Sequence, residues 1–443
     1  MSRRKRRREL PPPFEVVIEA LSHEGRGIAH HNGKIVFVFA ALPGERVKIQ
    51  INQSNKKFSE ASVVEVLEPS PLRIEPRCEH FGICGGCSMQ HVSADDQIEI
   101  KQKSVLEMMQ HAGIDIGEVL PPLRGEPWGY RRKARLGVKY VIKKQRLLIG
   151  FRERNKPYLA DMQSCPVLIE RVGQHLTDLM ALIGALDAFD KIAQIEVAAD
   201  DEHCQLVLRH LEPLSQHDLD KLTDFAKDSG FWLQLQPQGP DSVHNLYPEQ
   251  QALSFRPLAD DDLSIHFKAT DFTQVNASIN QQMVRQALDL LELQPADRVL
   301  DLFCGLGNFT LPLAQRVASV TGVEGDAAMV QRARENAAEH AIENTQYFAA
   351  DLSKIDGNER WLKQRYDKIL LDPPRTGALD IVQHLKPLKA SIIVYVSCQP
   401  SSLVRDAKVL LDAGYQMTHF GLMDMFPQTA HVESMAVFRR RGK

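Results

Sequence analysis

Three short stretches near the end of this 443-residue chain carry residues able to do covalent chemistry. In Ser397-Cys398-Gln399-Pro400 a thiol follows the apolar, β-branched run 391–396, which reads as a buried strand stopping at Ser397 and Pro400. A cysteine at such a strand end faces the cleft where open α/β sheets hold their ligands. It serves as a nucleophile when its pKa is lowered and a second group handles a proton later. Asp372 ends another apolar run and is pinned at the same cleft by Pro373-Pro374, with Arg375 following. Glu433, in His431-Val432-Glu433-Ser434-Met435, supplies a further acid. Each has a simpler reading taken alone: a core thiol, a turn-forming acid, a surface carboxylate. Their neighbours favour chemistry.

Those stretches must be positioned by strands and helices that alternate from residue 263 onward, the pattern of a doubly wound parallel sheet. Arg298 to Thr310 reads as strand, glycine-rich turn (Gly305, Gly307) and helix, with Thr310 where a dinucleotide fingerprint has its third glycine. A second strand ends in Glu324, about 20 residues on, suited to a ribose diol. This acid serves NAD and S-adenosylmethionine equally. Asp351, at the end of a third strand, suits an adenine amino group.

Upstream, Cys78, Cys84 and Cys87 are joined at a distance by Cys165 before Pro166. Three clustered thiols, a distant fourth and the glycines Gly85-Gly86 suit a [4Fe–4S] cluster better than zinc, which favours two separated Cys-x-x-Cys pairs. Residues 14–70 hold short strand-like runs punctuated by Gly25, Gly27, Gly33 and Gly44, the pattern of a small closed barrel. Gly25-Arg26-Gly27-Ile28-Ala29 and Ala41-Leu42-Pro43-Gly44-Glu45 resemble the TRAM module, an OB-like barrel attached to RNA-modifying enzymes. A helix is expected over 93–112, started by Ser93. The window 131–156 holds eleven Lys and Arg against Glu153 alone, a polyanion-binding strand face with Trp128 or Tyr130 available to stack on bases. Cys204 reads as core. The basic block Arg3 to Arg8 reads as a phosphate-contacting or solvated arm.

The expected organisation is multidomain: a basic arm (1–13), an OB-like TRAM β-barrel (14–70), a central α+β iron–sulfur and RNA-binding domain (71–262) and a C-terminal α/β Rossmann-like domain (263–443), which the family resemblance below implies is a methyltransferase domain. With 54 basic and 57 acidic residues the net charge is only −3, and no apolar run is long enough for a membrane span. A cytoplasmic, monomeric protein is expected, and seven cysteines in that setting argue for metal or catalysis over disulfides.

Asp372-Pro373-Pro374-Arg375, Ser397-Cys398-Gln399-Pro400 and His431-Val432-Glu433, with the glycine loop, resemble the RNA uracil-5 methyltransferase family over nearly the whole chain. The resemblance implies that Cys398 attacks C6 of uracil and that Glu433 removes the C5 proton. It also implies that Gln274, Phe303, Asn308, Glu324, Asp351 and Asp372 bind S-adenosylmethionine. Barrel, four cysteines and catalytic domain together resemble the members acting on 23S ribosomal RNA; the transfer RNA enzyme lacks barrel and cluster. The alternatives are a transfer RNA methyltransferase, a non-catalytic RNA-binding protein with a methyltransferase-like core, and a nicotinamide oxidoreductase, which gives Asp372 beside Cys398 no task.

Overall fold

The computed structural model describes residues 10–22 and 24–442. The basic block Arg3–Arg8 lies outside them. The described chain forms two compact units, one of residues up to 105 with 427–431, the other of 106–426 with 432 onward.

In the first unit six strands between Phe14 and Glu68 form one sheet, its Lys34–Phe39 and Phe58–Glu68 strands parallel and its other neighbours antiparallel. Inward residues alternate along each strand, and Val16, Ile18, Ala29, Val36, Val38, Val47 and Ile49 meet in one core. After Phe14–Val17 the chain passes from one sheet edge to the other: Ile18 N–H donates to Glu45 O at 2.9 Å, then Glu19 N–H to Ile28 O at 2.8 Å. Glu45 is fully buried, a position a carboxylate holds only if paired. Burial opposes its ionisation, but Arg73 at 2.5 Å and the amides of Leu42 and Ser70 outweigh it and hold its pKa down. This fastens the segment after the barrel to the barrel wall. Ser93 then caps the Ala94–His111 helix, accepting from Asp96 N–H at 3.1 Å, as its sequence position predicts.

The second unit holds two large sheets. One is mixed and six-stranded, running from His244–Tyr247 through Ile192–Ala199 and Lys133–Val141 to the edge strand Arg146–Gly150. The other has eight strands. Its five parallel members, in spatial order, are Thr345–Ala349, Ser319–Glu324, Arg298–Leu302, Lys368–Leu371 and Ile392–Ser397. Glu433–Arg440 lies antiparallel to Ile392–Ser397, Tyr415–Met423 lies antiparallel to Glu433–Arg440 in turn, and Glu118–Val119 closes the far edge parallel to Tyr415–Met423. The order of the parallel strands reverses between Arg298–Leu302 and Lys368–Leu371, so the ligand crevice opens beyond Leu302 and Leu371. Helix Ala277–Leu291 covers one face through Met283, Val284 and Leu291 against Val394, Val396 and Val437; Val330 and Ala333 of Ala327–Glu339 join a second apolar cluster with Leu311 and Tyr347. Among the described residues no helix is long and apolar enough to cross a membrane.

Candidate active site

Cys398 is the residue immediately after Ile392–Ser397, and Glu433 is the first residue of the antiparallel partner strand. The last ladder pair is Ser397 with Ser434, so one further step sets Cys398 opposite Glu433. Ser434 Oγ donates to Ser397 O at 3.2 Å and ties the two strand ends together. On the other flank Leu371 pairs with Tyr395, which brings Asp372 alongside the end of the same strand, and Asp372 N–H donates to Leu302 O at 3.2 Å. Three residues far apart in the chain therefore converge on one cleft.

The electrostatics confirm that they feel each other. Cys398 is half-buried, and burial, then the charges of Glu433 and Asp372, push its thiol up to about 12, with Arg375 opposing. The sequence reading asked for something that lowers this pKa; the resting cleft does the reverse. Glu433 is buried, and burial with the charge of Asp372 raises its pKa well above the ordinary carboxylate value. Asp372 is raised to about 7 by burial and by Glu324. A fourth acid, Asp301, received no role from sequence. It is fully buried, its pKa is raised to about 7 by burial, then by Asp372 and Glu324, and it accepts from Thr310 Oγ at 2.5 Å. Its Oδ1 has no hydrogen-bond partner among the described residues. The incomplete glycine fingerprint is thus explained: Thr310 opens a helix while its hydroxyl holds a buried acid.

Around this cleft Phe303 sits at φ 65°, a left-handed conformation costly for a phenylalanine, fixed by its N–H on Val323 O at 2.8 Å. Gly305 and Gly307, at φ 55° and 97°, turn the loop, and Gly305 N–H donates to Glu324 Oε2 at 3.1 Å. Asn308 exchanges two amide hydrogen bonds with Asn280 of helix Ala277–Leu291, at 3.0 and 2.9 Å. Gln274 lines a small cavity with Asn280, which places it near Asn308 through a helix residue that no local sequence signal marks. Asp351 stands apart. It is exposed, its carboxylate binds Ser353 and Lys354, and those bonds hold its pKa down at about 2. Its loop is joined to the cleft by Ala350 N–H on Glu324 O at 2.9 Å.

Another buried carboxylate, Asp406 of helix Pro400–Asp412, fixes the loop after Asp372. It accepts from Tyr395 Oη at 2.7 Å, Ala378 N–H at 2.6 Å and Arg405 Nε at 2.8 Å. Gly377, at φ 78°, packs so closely here that an added Cβ would lie 2.6 Å from Asp406 Oδ2.

Cys78 is half-buried and its thiol is pushed up by burial, while its N–H donates to Gln90 Oε1 at 3.0 Å. Cys84 is buried, Cys87 half-buried, and Gly86 N–H donates to Cys84 Sγ at 3.3 Å. In the other unit Cys165 is buried, with its N–H on Gly173 O at 2.7 Å; an added Cβ on Gly173 would lie 2.3 Å from Cys165 O. Cys204 is buried with its thiol pushed up to about 12, a core residue as expected.

The basic window is less uniform than its composition. Arg132 pairs with Asp201 at 2.5 Å, and Lys133 Nζ is buried with its pKa lowered by burial, so these two are not free phosphate contacts. Tyr130 is buried, so of the two aromatics expected to stack on bases the half-buried Trp128 is the more accessible.

A parallel sheet with a glycine turn after its first strand and an acidic crevice at the switch point defines a Rossmann-like α/β domain. A family model described as tRNA (Uracil-5-)-methyltransferase matches residues 233–441, and a TRAM domain model matches residues 13–64. The chain is 50% identical to "23S rRNA (uracil(1939)-C(5))-methyltransferase RlmD" of Alkalilimnicola ehrlichii, covering 99% of each. It is 48% identical to the protein of the same name from Xanthomonas oryzae pv. oryzae, over 99% of this chain and 100% of that one. The chain therefore belongs to the RNA uracil-C5 methyltransferase family. The Pyrococcus abyssi tRNA (uracil-54, C5)-methyltransferase, solved with S-adenosyl-L-homocysteine, shares the fold at a TM-score of 0.73 and 22% identity, over 96% of this chain and 99% of that one.

Proposed function

We propose that this protein methylates C5 of one uridine in 23S ribosomal RNA, with S-adenosylmethionine as methyl donor and a covalent Cys398–C6 adduct on the way. The observation that carries this reading is the opposition of Cys398 and Glu433 across one strand pair with Asp372 at its flank. Full-length similarity to relatives named for the 23S ribosomal RNA reaction supports the substrate.

Uracil C5 is a weak nucleophile, so the ring is activated from C6. Cys398 Sγ forms a bond to C6, its proton leaving to a carboxylate of the cleft, and electron density moves to C5. S-adenosylmethionine, when bound, supplies an electrophilic methyl group and a sulfonium charge. Glu433 then takes the C5 proton, the C5–C6 double bond re-forms and the C6–Sγ bond breaks, returning the thiolate. Asp301, Glu324 and Asp372 repel one another and leave Asp301 Oδ1 unmatched, a donor-poor anionic lining that suits a cationic cofactor. Gln274, Phe303, Asn308 and Asp351 complete the proposed cofactor shell.

Cys78, Cys84, Cys87 and Cys165 are proposed to hold a [4Fe–4S] cluster. What supports this reading is the donor chemistry of the residues: three clustered thiols, a fourth before Pro166, and an amide that donates to Cys84 Sγ. The protein is proposed to act in the cytoplasm, as a monomer. The deciding experiment is methyl transfer to 23S ribosomal RNA and to transfer RNA side by side, with mass mapping of the product. 5-Methyluridine in the ribosomal RNA alone is expected; methylation of transfer RNA alone would select the alternative substrate.

A further inference from the structure

Strand Lys133–Val141 buries Ala134, Leu136 and Val138 on one face and presents Arg135 and Lys139 on the other. On that second face Gly137 pairs with Gly150. An added Cβ on Gly137 would lie 2.6 Å from Leu159 Cδ2, and one on Gly150 2.9 Å from Met162 Sδ. The glycine pair is what lets the 151–162 segment cross the sheet so closely. That segment doubles back on itself, with Arg152 bridged to Leu159 and Glu153 N–H on Tyr158 O at 2.7 Å. Between strand and turn lies an open groove of about 770 Å³, lined by Arg135, Lys139, Lys144 and Arg152. Its acid, Glu153, is bound by Lys156 at 3.0 Å. Arg135 and Lys144 have acidic partners, but Lys139 and Arg152 form no ion pair among the described residues. Tyr158, at the groove's rim, is 66% exposed.

We propose that this groove holds a single-stranded segment of the substrate RNA outside the target uridine, with phosphates on Lys139 and Arg152 and a base stacked on Tyr158. The inference rests on the RNA-methyltransferase reading and adds where the RNA is gripped. Arg135 and Lys139 are four residues apart on one strand face, roughly 13 Å, a span of about two nucleotides along a single strand. An exposed tyrosine beside unpaired cations matches the stacking platform in a basic groove that binds single strands without reading sequence. An acidic protein segment would meet the charges but has no use for the ring.

The test uses the full chain and a 23S ribosomal RNA fragment containing the target uridine. Binding is measured without S-adenosylmethionine over a range of salt, and steady-state methylation is measured alongside. Tyr158→Ala should weaken binding roughly tenfold or more and raise KM for RNA, with kcat within about twofold, while Tyr158→Phe binds like the wild type. Lys139→Ala with Arg152→Ala should flatten the log–log salt dependence by about 1.4, two single-strand phosphate contacts. Unchanged affinity and slope in folded variants would overturn the proposal, and capture of polyglutamate through Lys139 and Arg152 would then identify a protein-binding face. If the wild type binds the fragment through these residues but methylates nothing, the groove stands and the catalytic reading falls.

Discussion

Tyr395 donates its phenol hydrogen to Asp406 at 2.7 Å, joining the strand that ends just before Cys398 to the helix that begins at Pro400. The same carboxylate receives Ala378 N–H, so one buried acid ties the strand before Cys398 to the loop that carries Asp372 and Arg375. Asp406→Asn puts an amide NH2 against donors that the carboxylate accepts from, two of them at Oδ2, and is expected to cost about 1–3 kcal/mol of stability. Tyr395→Phe, which leaves the other two donors in place, should cost about 1 kcal/mol. Urea denaturation gives both numbers. The kcat of Asp406→Asn should fall further than that of Tyr395→Phe, and equal kcat values would separate the loop from catalysis.

The acids of the cleft make stability depend on pH in an unusual direction. Asp301 and Asp372 both titrate near 7 in the folded protein, against roughly 3.9 in an unfolded chain. Between those values the unfolded chain releases protons that the folded protein keeps. The stability these groups provide is therefore full below about 4 and lost as pH rises through about 7. Asp372→Asn removes one such group, so its melting temperature relative to the wild type should be more favourable at pH 8 than at pH 5 without cofactor. A difference that does not change with pH would mean that Asp372 ionises normally.

Protein prepared without oxygen should be brown and contain iron and sulfide, and Cys165→Ala should lose the colour. The measurement is the visible spectrum with metal and sulfide assays. Stoichiometric zinc without sulfide would replace the cluster by a structural zinc site.

Much of the catalytic sheet was legible because periodicity and glycine turns are local. The strand before Cys398, the loop at Gly305 and Gly307 and the acid at Glu324 could each be found within a few residues. Glu433 was legible only as a motif. What gives it meaning is an antiparallel strand laid against Ile392–Ser397, a long-range pairing that the alternation of strand and helix does not announce. Asp301 was overlooked although an acid inside the apolar run Val299-Leu300-Asp301-Leu302 is itself a signal, since a carboxylate there must be buried. The basic window misled for the complementary reason: composition counts charges but does not say which, like Lys133, turn inward.

The order of steps at the cleft is open to direct test. In the proposed mechanism Cys398 attacks first, because C5 is not activated otherwise, and Glu433 acts only after the methyl group has arrived. Cys398→Ala should therefore yield neither product nor covalent complex. Glu433→Gln should attack and accept the methyl group, then stall, because the C5 proton cannot leave and the C6–Sγ bond cannot break. The substitution should also remove the second-largest influence holding the Cys398 thiol up, so attack itself should be no slower than in the wild type. The expected observation is a denaturation-resistant protein–RNA band labelled from the methyl of S-adenosylmethionine, absent from Cys398→Ala and from the double variant. Full turnover by Glu433→Gln would take the base role from Glu433, and a labelled adduct on another residue would take the nucleophile role from Cys398.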